Sequence, residues 1–310
     1  MKRIITHNDL DAIGYLIILK EVVGLDIFNK KEIELSMIQP GQLEEYLSDT
    51  IYRSDIYDFI HIGDLEFKKV NGFDTIKSKV LFVDHHPKSV ELTKPWSYTR
   101  VAGPVKQCAA SLIWHKYKGK VKRDTVKYKC ICKFIEDVRL WDTWDWVKGE
   151  NDIPRLLNIL SNSMETEEFM EAVSEYIHTA KNPYDRVGIY ADDILRDPIK
   201  RVKEFNGWID REVLPTRKDI EIGGINFALF DVAENVSELG YELGRRSGKE
   251  YDVDAFIFRN GNKLSFRRKN EEVDILSIVR QMGGGGHPGA CGVVIDDCES
   301  DIFGLVEMTF

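Results

Sequence analysis

The chain contains few cysteines and no long apolar run. Five cysteines occur in 310 residues, and the nearest two, Cys130 and Cys132, are separated by one residue, so no CxxC pair exists. An odd number without such pairs excludes a disulfide framework and a zinc ribbon, and we expect reduced, mostly buried thiols. No apolar run approaches the roughly 18 residues that cross a bilayer, and we expect no cleavable leader. These absences predict a cytoplasmic protein without a membrane partner.

Basic residues are outnumbered by acidic ones. Lysine and arginine number 43 against 52 aspartate and glutamate residues, which gives a net charge of −9 at pH 7. The long-range field of such a protein repels polyanions and argues against a coat for long nucleic acids. An anionic substrate must therefore be captured by a local group of basic side chains. The first strand is not followed by GxGxxG, which argues against a dinucleotide-binding oxidoreductase.

The first half of the chain alternates short β-rich runs with helix-like stretches. The apolar fraction of 43% is sufficient for ordinary packed cores. The strand candidates are "RIIT", "IELSMI", "DFIHIGD" and "KVLFVDHH", and "AIGYLIILKEV" is a helix candidate between the first two. This alternation predicts an α/β fold with a parallel sheet covered by helices. Two further helices are predicted within 103–120 and 123–140.

The second half changes pattern twice. Helix-like runs cover 167–180 and 184–214, and we predict that Pro198 interrupts the second run. From about residue 218 the pattern is that of hairpin strands, and Asn260-Gly261 between two alternating runs predicts a tight reversal. We therefore expect one domain at 1–160, a helical connection at 161–217 and a second domain at 218–310.

A first candidate site follows the first strand, in "THNDLDAIG". His7, Asp9 and Asp11 stand on alternate positions, so in an extended segment their side chains point to one side and need a cation between them. Helix capping is the other explanation, because Asp is a favoured N-cap and a helix is predicted from about Ala12. Capping needs only one such residue, and the stretch alone leaves the two explanations balanced.

Three more segments carry carboxylates or imidazoles at strand or helix ends. "FVDHHPKS" contains Asp84, His85 and His86, "HIGDLEF" contains Asp64, and "RLWDTWDW" contains Asp142 and Asp145. Each has a structural alternative, since Asp and His are frequent in turns and tryptophans are frequent in cores. In parallel sheets, however, the residues that follow the strands meet at one edge. We therefore expect Asp9, Asp64 and Asp84 to gather there.

The expected cluster suits hard or borderline cations. Carboxylates and imidazoles without cysteine favour manganese, magnesium or iron over structural zinc. Carboxylates packed this closely repel one another unless a cation neutralises them. Two divalent ions about 3.5–4 Å apart could share one bridging carboxylate and clamp the attacking and leaving oxygens of a phosphoryl displacement.

A second candidate site lies near the end of the chain, in "NKLSFRRK" and "QMGGGGHPGACG". On a strand, Ser265 and Arg267 share one face, and arginine suits a bidentate phosphate contact. Gly285 and Gly286 would let backbone N–H groups approach an anion to which His287 also donates. The alternatives are a solvated strand face and a glycine-terminated helix.

In order, these segments resemble the motifs of a known family. "HNDLDAIG", "GDLE", "DHHPKS" and "DTW" are similar to the four motifs of the DHH phosphoesterases, and "GGGGHPGACG" resembles the signature of their C-terminal DHHA1 domain. The resemblance covers 1–145 and 255–295 and is strongest to the short oligoribonuclease (nano-RNase) branch, which includes 3′-phosphoadenosine 5′-phosphate phosphatases. It implies an N-terminal parallel-sheet DHH domain with helices on both faces and a smaller C-terminal α/β DHHA1 domain.

The resemblance also implies a role for each site residue. One manganese ion would be held by His7, Asp9 and Asp64, and the other by Asp11, Asp64, His85 and Asp142, with Asp64 as the bridge. Asp84 would orient the imidazoles, and His86 would face the substrate phosphate or the leaving group. Many relatives have a glycine after the Asp-Thr pair, whereas this chain has "DTWDW"; Asp142 is preferred over Asp145. Substrate contacts would come from Ser265, Arg267, Gly285, Gly286 and His287.

The implied activity is manganese-dependent hydrolysis of short RNA oligonucleotides, with magnesium as the alternative cation. A 3′-phosphoadenosine 5′-phosphate phosphatase, a linear- or cyclic-dinucleotide phosphodiesterase and a single-strand exonuclease share the same site chemistry and stay open. An inorganic pyrophosphatase is disfavoured, because the C-terminal signature of that group differs from the one in this chain. A catalytically inactive nucleotide-binding module is disfavoured because every motif keeps its acidic residues and histidines. The oligomeric state is open, and a homodimer is compatible with the sequence.

Overall fold

The computed structural model of the chain describes residues 1–66, 70–86, 89, 100–101, 107–143, 152–232, 234–246, 253–270, 272–287 and 289–295. By its internal contacts the chain divides into two compact units, Met1–Ile199 and Lys200–Phe310. The boundaries at residues 160 and 217 stay predictions. Across the described ranges, no helix has both the length and the apolar character needed to cross a membrane.

The first unit contains a parallel sheet in the order β2-β1-β3-β4-β5. The strands are β1 (Lys2–His7), β2 (Ile33–Ile38), β3 (Phe59–Gly63), β4 (Val80–Val83) and β5 (Arg100–Val101). All four predicted runs form strands, because each is apolar and ends at a polar residue that turns the chain. In the register of the central strands, Ile5 lies between Ser36 of β2 and Ile62 of β3.

Helices cover both faces of this sheet, as predicted. Among the described residues, the α-helices of this unit are α1 (Leu10–Ile18), α2 (Leu43–Tyr52), α3 (Phe73–Ile76), α4 (Ala109–Tyr117), α5 (Val126–Asp142), α6 (Ile153–Ser161), α7 (Thr166–Thr179) and α8 (Asp192–Trp208), the last of which continues into the second unit. On one face, α2 and α3 share a buried apolar cluster with Ile5, Ile62 and Phe82. On the other face, the Tyr15 hydroxyl of α1 lies 2.9 Å from Nδ1 of His61 in β3.

The predicted interruption at Pro198 is wrong. Helix α8 runs through Pro198 without a break, and the chain bends earlier, at Gly188 (φ +53°). A Cβ atom at Gly188 would lie 2.4 Å from the carbonyl oxygen of Ala172 in α7, so close packing fixes this bend. Pro198 lies six residues into α8 and is buried on the same helical face as Leu195. Burial of its ring offsets the one backbone hydrogen bond that a proline cannot donate.

The second unit contains a mixed sheet in the order β10-β11-β9-β8-β7-β6. Its strands are β6 (Lys218–Ile222), β7 (Ile225–Asp231), β8 (Ala255–Asn260), β9 (Lys263–Arg268), β10 (Gly285–His287) and β11 (Ala290–Val294). Two helices, α9 (Val236–Arg246) and α10 (Ile275–Gln281), pack in separate apolar clusters against the sheet. This is the α/β domain that the resemblance implies.

The reversal between β8 and β9 is shifted by one residue from its predicted place. Asn260 pairs with Lys263, so the two residues of the turn are Gly261 and Asn262 instead of Asn260 and Gly261. Gly261 has φ +56°, a conformation that glycine adopts without steric cost. Glycine in the first turn position suits a type II′ hairpin, and this preference decides the register.

Candidate metal centre

The chain turns away from the sheet with an acidic residue after three neighbouring strands. Asp9 follows β1, Asp64 follows β3 and Asp84 follows β4. Strands β1 and β3 are adjacent although β2 lies between them in the chain, so the strand order reverses at this point. Ligands bind at such reversals, outside the carboxyl ends of the strands. The topology thus brings these distant carboxylates together.

His7 and Asp9 form the first part of the site. Nδ1 of His7 lies 2.7 Å from Oδ2 of Asp9. The other carboxylate oxygen of Asp9 accepts a hydrogen bond from the backbone N–H of Ala12, at 2.9 Å, and thereby caps helix α1. Capping and participation in the cluster are therefore not alternatives for Asp9, because each uses a different oxygen atom.

Asp64 lies at the middle of the cluster. It is 3% exposed and has φ +54°, a left-handed conformation that aspartate tolerates better than most residues. Its backbone N–H donates to the carbonyl of Val83, at 2.9 Å, which fixes the turn after β3. Oδ2 of Asp64 lies 3.6 Å from Nδ1 of His7, and Oδ1 lies 3.4 Å from Nε2 of His85. One carboxylate therefore faces two different imidazoles.

His85 and Asp142 extend the cluster beyond Asp64. Nε2 of His85 lies 3.7 Å from Oδ2 of Asp142, which is the last residue of α5, and 4.0 Å from Oδ2 of Asp11. The structure therefore brings Asp11, His85 and Asp142 into one group. Asp145, the alternative to Asp142, lies outside the described residues.

Asp11 is anchored by backbone groups that the sequence analysis did not identify. Its carboxylate is 1% exposed and accepts hydrogen bonds from the N–H groups of Ala109 and Ala110, at 2.7 and 2.8 Å, at the start of α4. The unpaired N–H groups of a helix start favour an anion. Gly14 permits this contact, because a Cβ atom there would lie 2.9 Å from Cβ of Ala110. In the sequence, the only sign of this contact is the small size of the two residues that meet, Gly14 and Ala110.

Asp84 and His86 form a pair beside these groups. Oδ1 of Asp84 lies 2.7 Å from Nδ1 of His86. The Asp84 side chain is fully buried, whereas the His86 side chain is 35% exposed. Although burial opposes the charged imidazole, the hydrogen bond to Asp84 raises the pKa of His86 above its ordinary value. The arrangement orients one ring nitrogen and leaves part of the ring accessible.

The carboxylates disfavour one another's ionisation. Burial, followed by the negative charges of Asp9 and Asp11, raises the pKa of Asp64 well above its ordinary value. Burial and the charge of Asp11 raise the pKa of Asp142 to about 7. The neighbouring carboxylates of Asp64 and Asp9 raise the pKa of His7 to about 10. Such shifts are characteristic of anionic groups packed without a compensating cation.

The donor set fits divalent cations. Among the described residues, three buried carboxylate oxygens have no hydrogen-bond partner: Oδ2 of Asp64, of Asp84 and of Asp142. Leaving a charged oxygen buried and unpaired is costly, and a metal ion is one of the few partners that satisfies it. Ligand atoms within 4.8 Å of one another form the groups His7-Asp9-Asp64, Asp11-His85-Asp142 and Asp64-Asp84-His85-His86. The first two groups match the two ligand sets in the sequence analysis, apart from Asp64 in the second.

In the second unit, the side chains of β9 alternate between the two faces of the sheet as predicted. Leu264 and Phe266 lie in the apolar cluster with α10, so Ser265 and Arg267 point to the opposite face. Nη2 of Arg267 donates to the hydroxyl of Ser237 in α9, and Nη1 donates to the carbonyl of Phe266, both at 2.9 Å. Ser237 was not identified from the sequence.

The glycine run divides into two structures instead of one open loop. The N–H groups of Gly283 and Gly284 donate to the carbonyls of Arg280 and Val279, at 3.0 and 2.8 Å, and end α10. Gly285 and Gly286 belong to β10, where Gly285 pairs with Gly292 of β11. The helix-terminating explanation thus applies to the first two glycines. The phosphate contacts of Gly285, Gly286 and His287 stay predictions.

Comparison with known proteins agrees with this architecture. No family model matches the chain. The oligoribonuclease NrnB of Bacillus subtilis is 24% identical over 313 aligned residues, which cover 98% of this chain and 75% of the relative. The solved structure of PggH, a pGpG-specific phosphodiesterase from Vibrio cholerae, superposes with a TM-score of 0.58 at 15% identity, over 99% of this chain and 98% of its own, and shares the fold.

The similarity to NrnB extends over nearly the whole chain. The motifs occur in the expected order, and the first three follow parallel strands whose carboxyl ends meet. The order of the motifs, their places after the strands and the similarity to this relative all agree with the resemblance to the DHH phosphoesterases.

Proposed function

We propose that the chain is a manganese-dependent phosphoesterase that hydrolyses short RNA oligonucleotides with two divalent cations. The observation that carries the proposal is the position of Asp64, whose oxygens face His7 on one side and His85 on the other at 3.6 and 3.4 Å. A buried carboxylate shared by two ligand groups suits a bridging ligand between two ions. Its Oδ2 atom has no hydrogen-bond partner, which supports the same role.

The proposed ligands form two sets that share Asp64. His7 and Asp9 hold one cation with Asp64, and Asp11, His85 and Asp142 hold the other with Asp64. When bound, the two cations supply an activated water and offset the charge of the phosphoryl group. Manganese fits a mixed set of carboxylates and imidazoles, with magnesium as the alternative.

His86 is proposed to act on the substrate itself. Its Nδ1 atom is held by the buried carboxylate of Asp84, and its side chain is partly exposed. A histidine held in this way keeps one tautomer and presents its other nitrogen to the reacting group. We assign this step to the protonated ring, in which Nδ1–H donates to Asp84 and the proton on Nε2 passes to the leaving oxygen of the phosphoester, which leaves the ring neutral. Asp84 is the positioning residue for this step.

Substrate length follows from charge. The net charge of −9 and the small basic segment that includes Arg267 favour a ligand that contacts few phosphates. The name of the relative from Bacillus subtilis, an oligoribonuclease, supports the same class of substrate. We propose that this reaction takes place in the cytoplasm, as the sequence analysis predicts.

A linear dinucleotide is the second candidate, favoured by the fold shared with a pGpG-specific phosphodiesterase. The deciding experiment offers the purified protein with manganese a set of substrates side by side: pGpG, RNAs of increasing length and 3′-phosphoadenosine 5′-phosphate. Similar kcat/KM on dinucleotides of any base and on short RNAs supports the oligoribonuclease. Activity confined to pGpG supports the second candidate. Release of phosphate from 3′-phosphoadenosine 5′-phosphate alone would reject both.

A further inference from the structure

Arg267 lies across a glycine in the middle of helix α9. A Cβ atom at Gly240 would lie 2.8 Å from Cγ and 3.0 Å from Cβ of Arg267, closer than such atoms approach in folded proteins. Gly240 is buried within α9, where glycine is less favourable than alanine because it loses more backbone freedom. The helix thus contains an unfavourable residue at the one place where the arginine stem crosses it.

A second glycine in the same helix shows that the contact is specific to Gly240. Gly244 lies one turn further along α9, and within the described part of the chain a Cβ atom there would meet only Cε2 of Phe256, at the ordinary distance of 3.8 Å. The helix therefore has room for a side chain at Gly244 and none at Gly240. Close approach of Arg267 accounts for this difference.

Ser237 fixes the other end of the arginine. It lies three residues before Gly240, on the same face of α9, and its hydroxyl accepts a hydrogen bond from Nη2 of Arg267 at 2.9 Å. Nη1 donates to the carbonyl of Phe266 at 2.9 Å. The stem is thus confined by Gly240, and two of the five guanidinium N–H donors bind groups in the described part of the chain. These two bonds fix the direction of the whole planar group.

We propose that Ser237 and Gly240 are positioning residues that hold the Arg267 guanidinium in the conformation that receives the substrate phosphate. The proposal rests on the substrate role of Arg267 in the proposed function. A long arginine side chain otherwise loses rotamer freedom when it binds a phosphate. Holding the side chain beforehand removes part of that cost, so the two residues affect capture of the substrate and not the chemical step.

The test is a steady-state comparison of Gly240→Ala with Gly244→Ala, with an RNA dinucleotide as substrate and manganese present. We expect Gly240→Ala to raise KM by about tenfold, the scale of one charge-assisted hydrogen bond, with kcat within about twofold of the unchanged protein. Gly244→Ala, which places the same methyl group on the same helix, leaves KM and kcat unchanged. Bound manganese and the midpoint of thermal unfolding are measured for both variants.

A second substitution removes only one oxygen atom and tests the proposal if Gly240→Ala does not fold. Ser237→Ala raises KM and leaves kcat unchanged, and Ser237→Thr, which restores the hydroxyl, returns KM toward its original value. A KM that stays unchanged in Ser237→Ala, or in a folded Gly240→Ala, overturns the proposal.

The double variants separate this proposal from the proposed function. In an Arg267→Ala background, neither Gly240→Ala nor Ser237→Ala changes KM further, because the residue through which they act is gone. A further rise there overturns the positioning role while leaving the substrate role of Arg267 intact. If Arg267→Ala alone leaves KM unchanged, the substrate role fails, and the positioning role fails with it.

Discussion

The carboxylate of Asp84 lies 2.7 Å from the imidazole of His86, and the two side chains differ sharply in exposure: the carboxylate is fully buried and the ring is 35% exposed. A buried carboxylate behind a partly exposed histidine is the arrangement by which proteins fix a tautomer and stabilise the protonated ring. The pair therefore links the buried edge of the sheet to a group that a substrate can reach.

Substitution Asp84→Asn keeps the shape of this pair and removes its charge. We expect kcat to fall by about 10- to 100-fold, the usual range for a group that orients a site residue. The hydrogen bond to Asp84 raises the pKa of His86. Without the charge of Asp84 the ring loses its proton at lower pH, so the alkaline limb of the plot of kcat against pH moves to lower pH. Asp74→Asn, on an exposed position of α3, is the matched control. An unchanged pH profile contradicts the positioning role of Asp84.

Removal of metal tests the two-cation assignment. Chelation with EDTA abolishes hydrolysis, and manganese restores it better than calcium, which prefers more oxygen ligands at longer distances. Each ion supplies several kcal/mol of transition-state stabilisation, so Asp64→Asn lowers kcat by about 100-fold or more. Asparagine tolerates the φ of +54° at this position, so the turn is retained. Elemental analysis gives the number of ions per chain, and retention of two ions in this variant rejects the bridge.

A polar group that the proposed reaction does not use gives a prediction about stability. The hydroxyl of Tyr190 donates to the buried carboxylate of Asp137 in α5, at 2.6 Å, and Lys133 pairs with the same carboxylate. Tyr190→Phe leaves this anion with one partner fewer and lowers the free energy of unfolding by about 1–3 kcal/mol. Urea denaturation measures the change. Tyr184 is 79% exposed, so Tyr184→Phe is the control and shifts the midpoint little; equal effects of the two substitutions contradict the prediction.

Charge predicts a preference for short substrates. Each nucleotide beyond those held at the site meets a protein of net charge −9, so kcat/KM is highest on RNAs of about two to five nucleotides and falls for longer ones. Few released counterions give a shallow salt dependence. The measurement is kcat/KM over lengths from two to about 24 nucleotides at two salt concentrations. A rise with length, or a steep salt slope, favours a single-strand exonuclease.

The sequence predicts β1 to β4 because short apolar runs end in polar residues that turn the chain, but it does not predict the two-residue strand β5. It misplaces the bend before α8, because that bend depends on the contact of Gly188 with the carbonyl of Ala172, and no local pattern encodes a contact between distant segments. A proline is a reliable helix breaker only where tertiary packing does not bury it, as α8 buries Pro198. The turn after β8 was predicted one residue early, since Asn260, Gly261 and Asn262 allow two registers.

The sequence predicts those residues of the candidate metal centre that directly follow strands. Asp9, Asp64 and Asp84 follow strands, and the edge rule for parallel sheets brings them together. The anchors of Asp11 were not predictable, because they are backbone N–H groups of Ala109 and Ala110, which any residue except proline offers. The support of Arg267 by Gly240 depends on a distance between a strand and a helix, which sequence alone does not give.

The contact of Asp11 with α4 joins residues 98 and 99 positions apart in the chain. Asp142, in the same ligand group, lies further along still. Closing such long loops costs conformational entropy before the favourable free energy of the contacts is gained. We therefore expect these interactions to form late in folding. During synthesis, a nascent chain presents the His7-Asp9 segment long before the residues that complete the second group leave the ribosome. On the proposed assignment, the two ions bind only to the finished unit. Metal then binds the native chain in preference to the unfolded one, and we expect the thermal midpoint to rise with metal concentration.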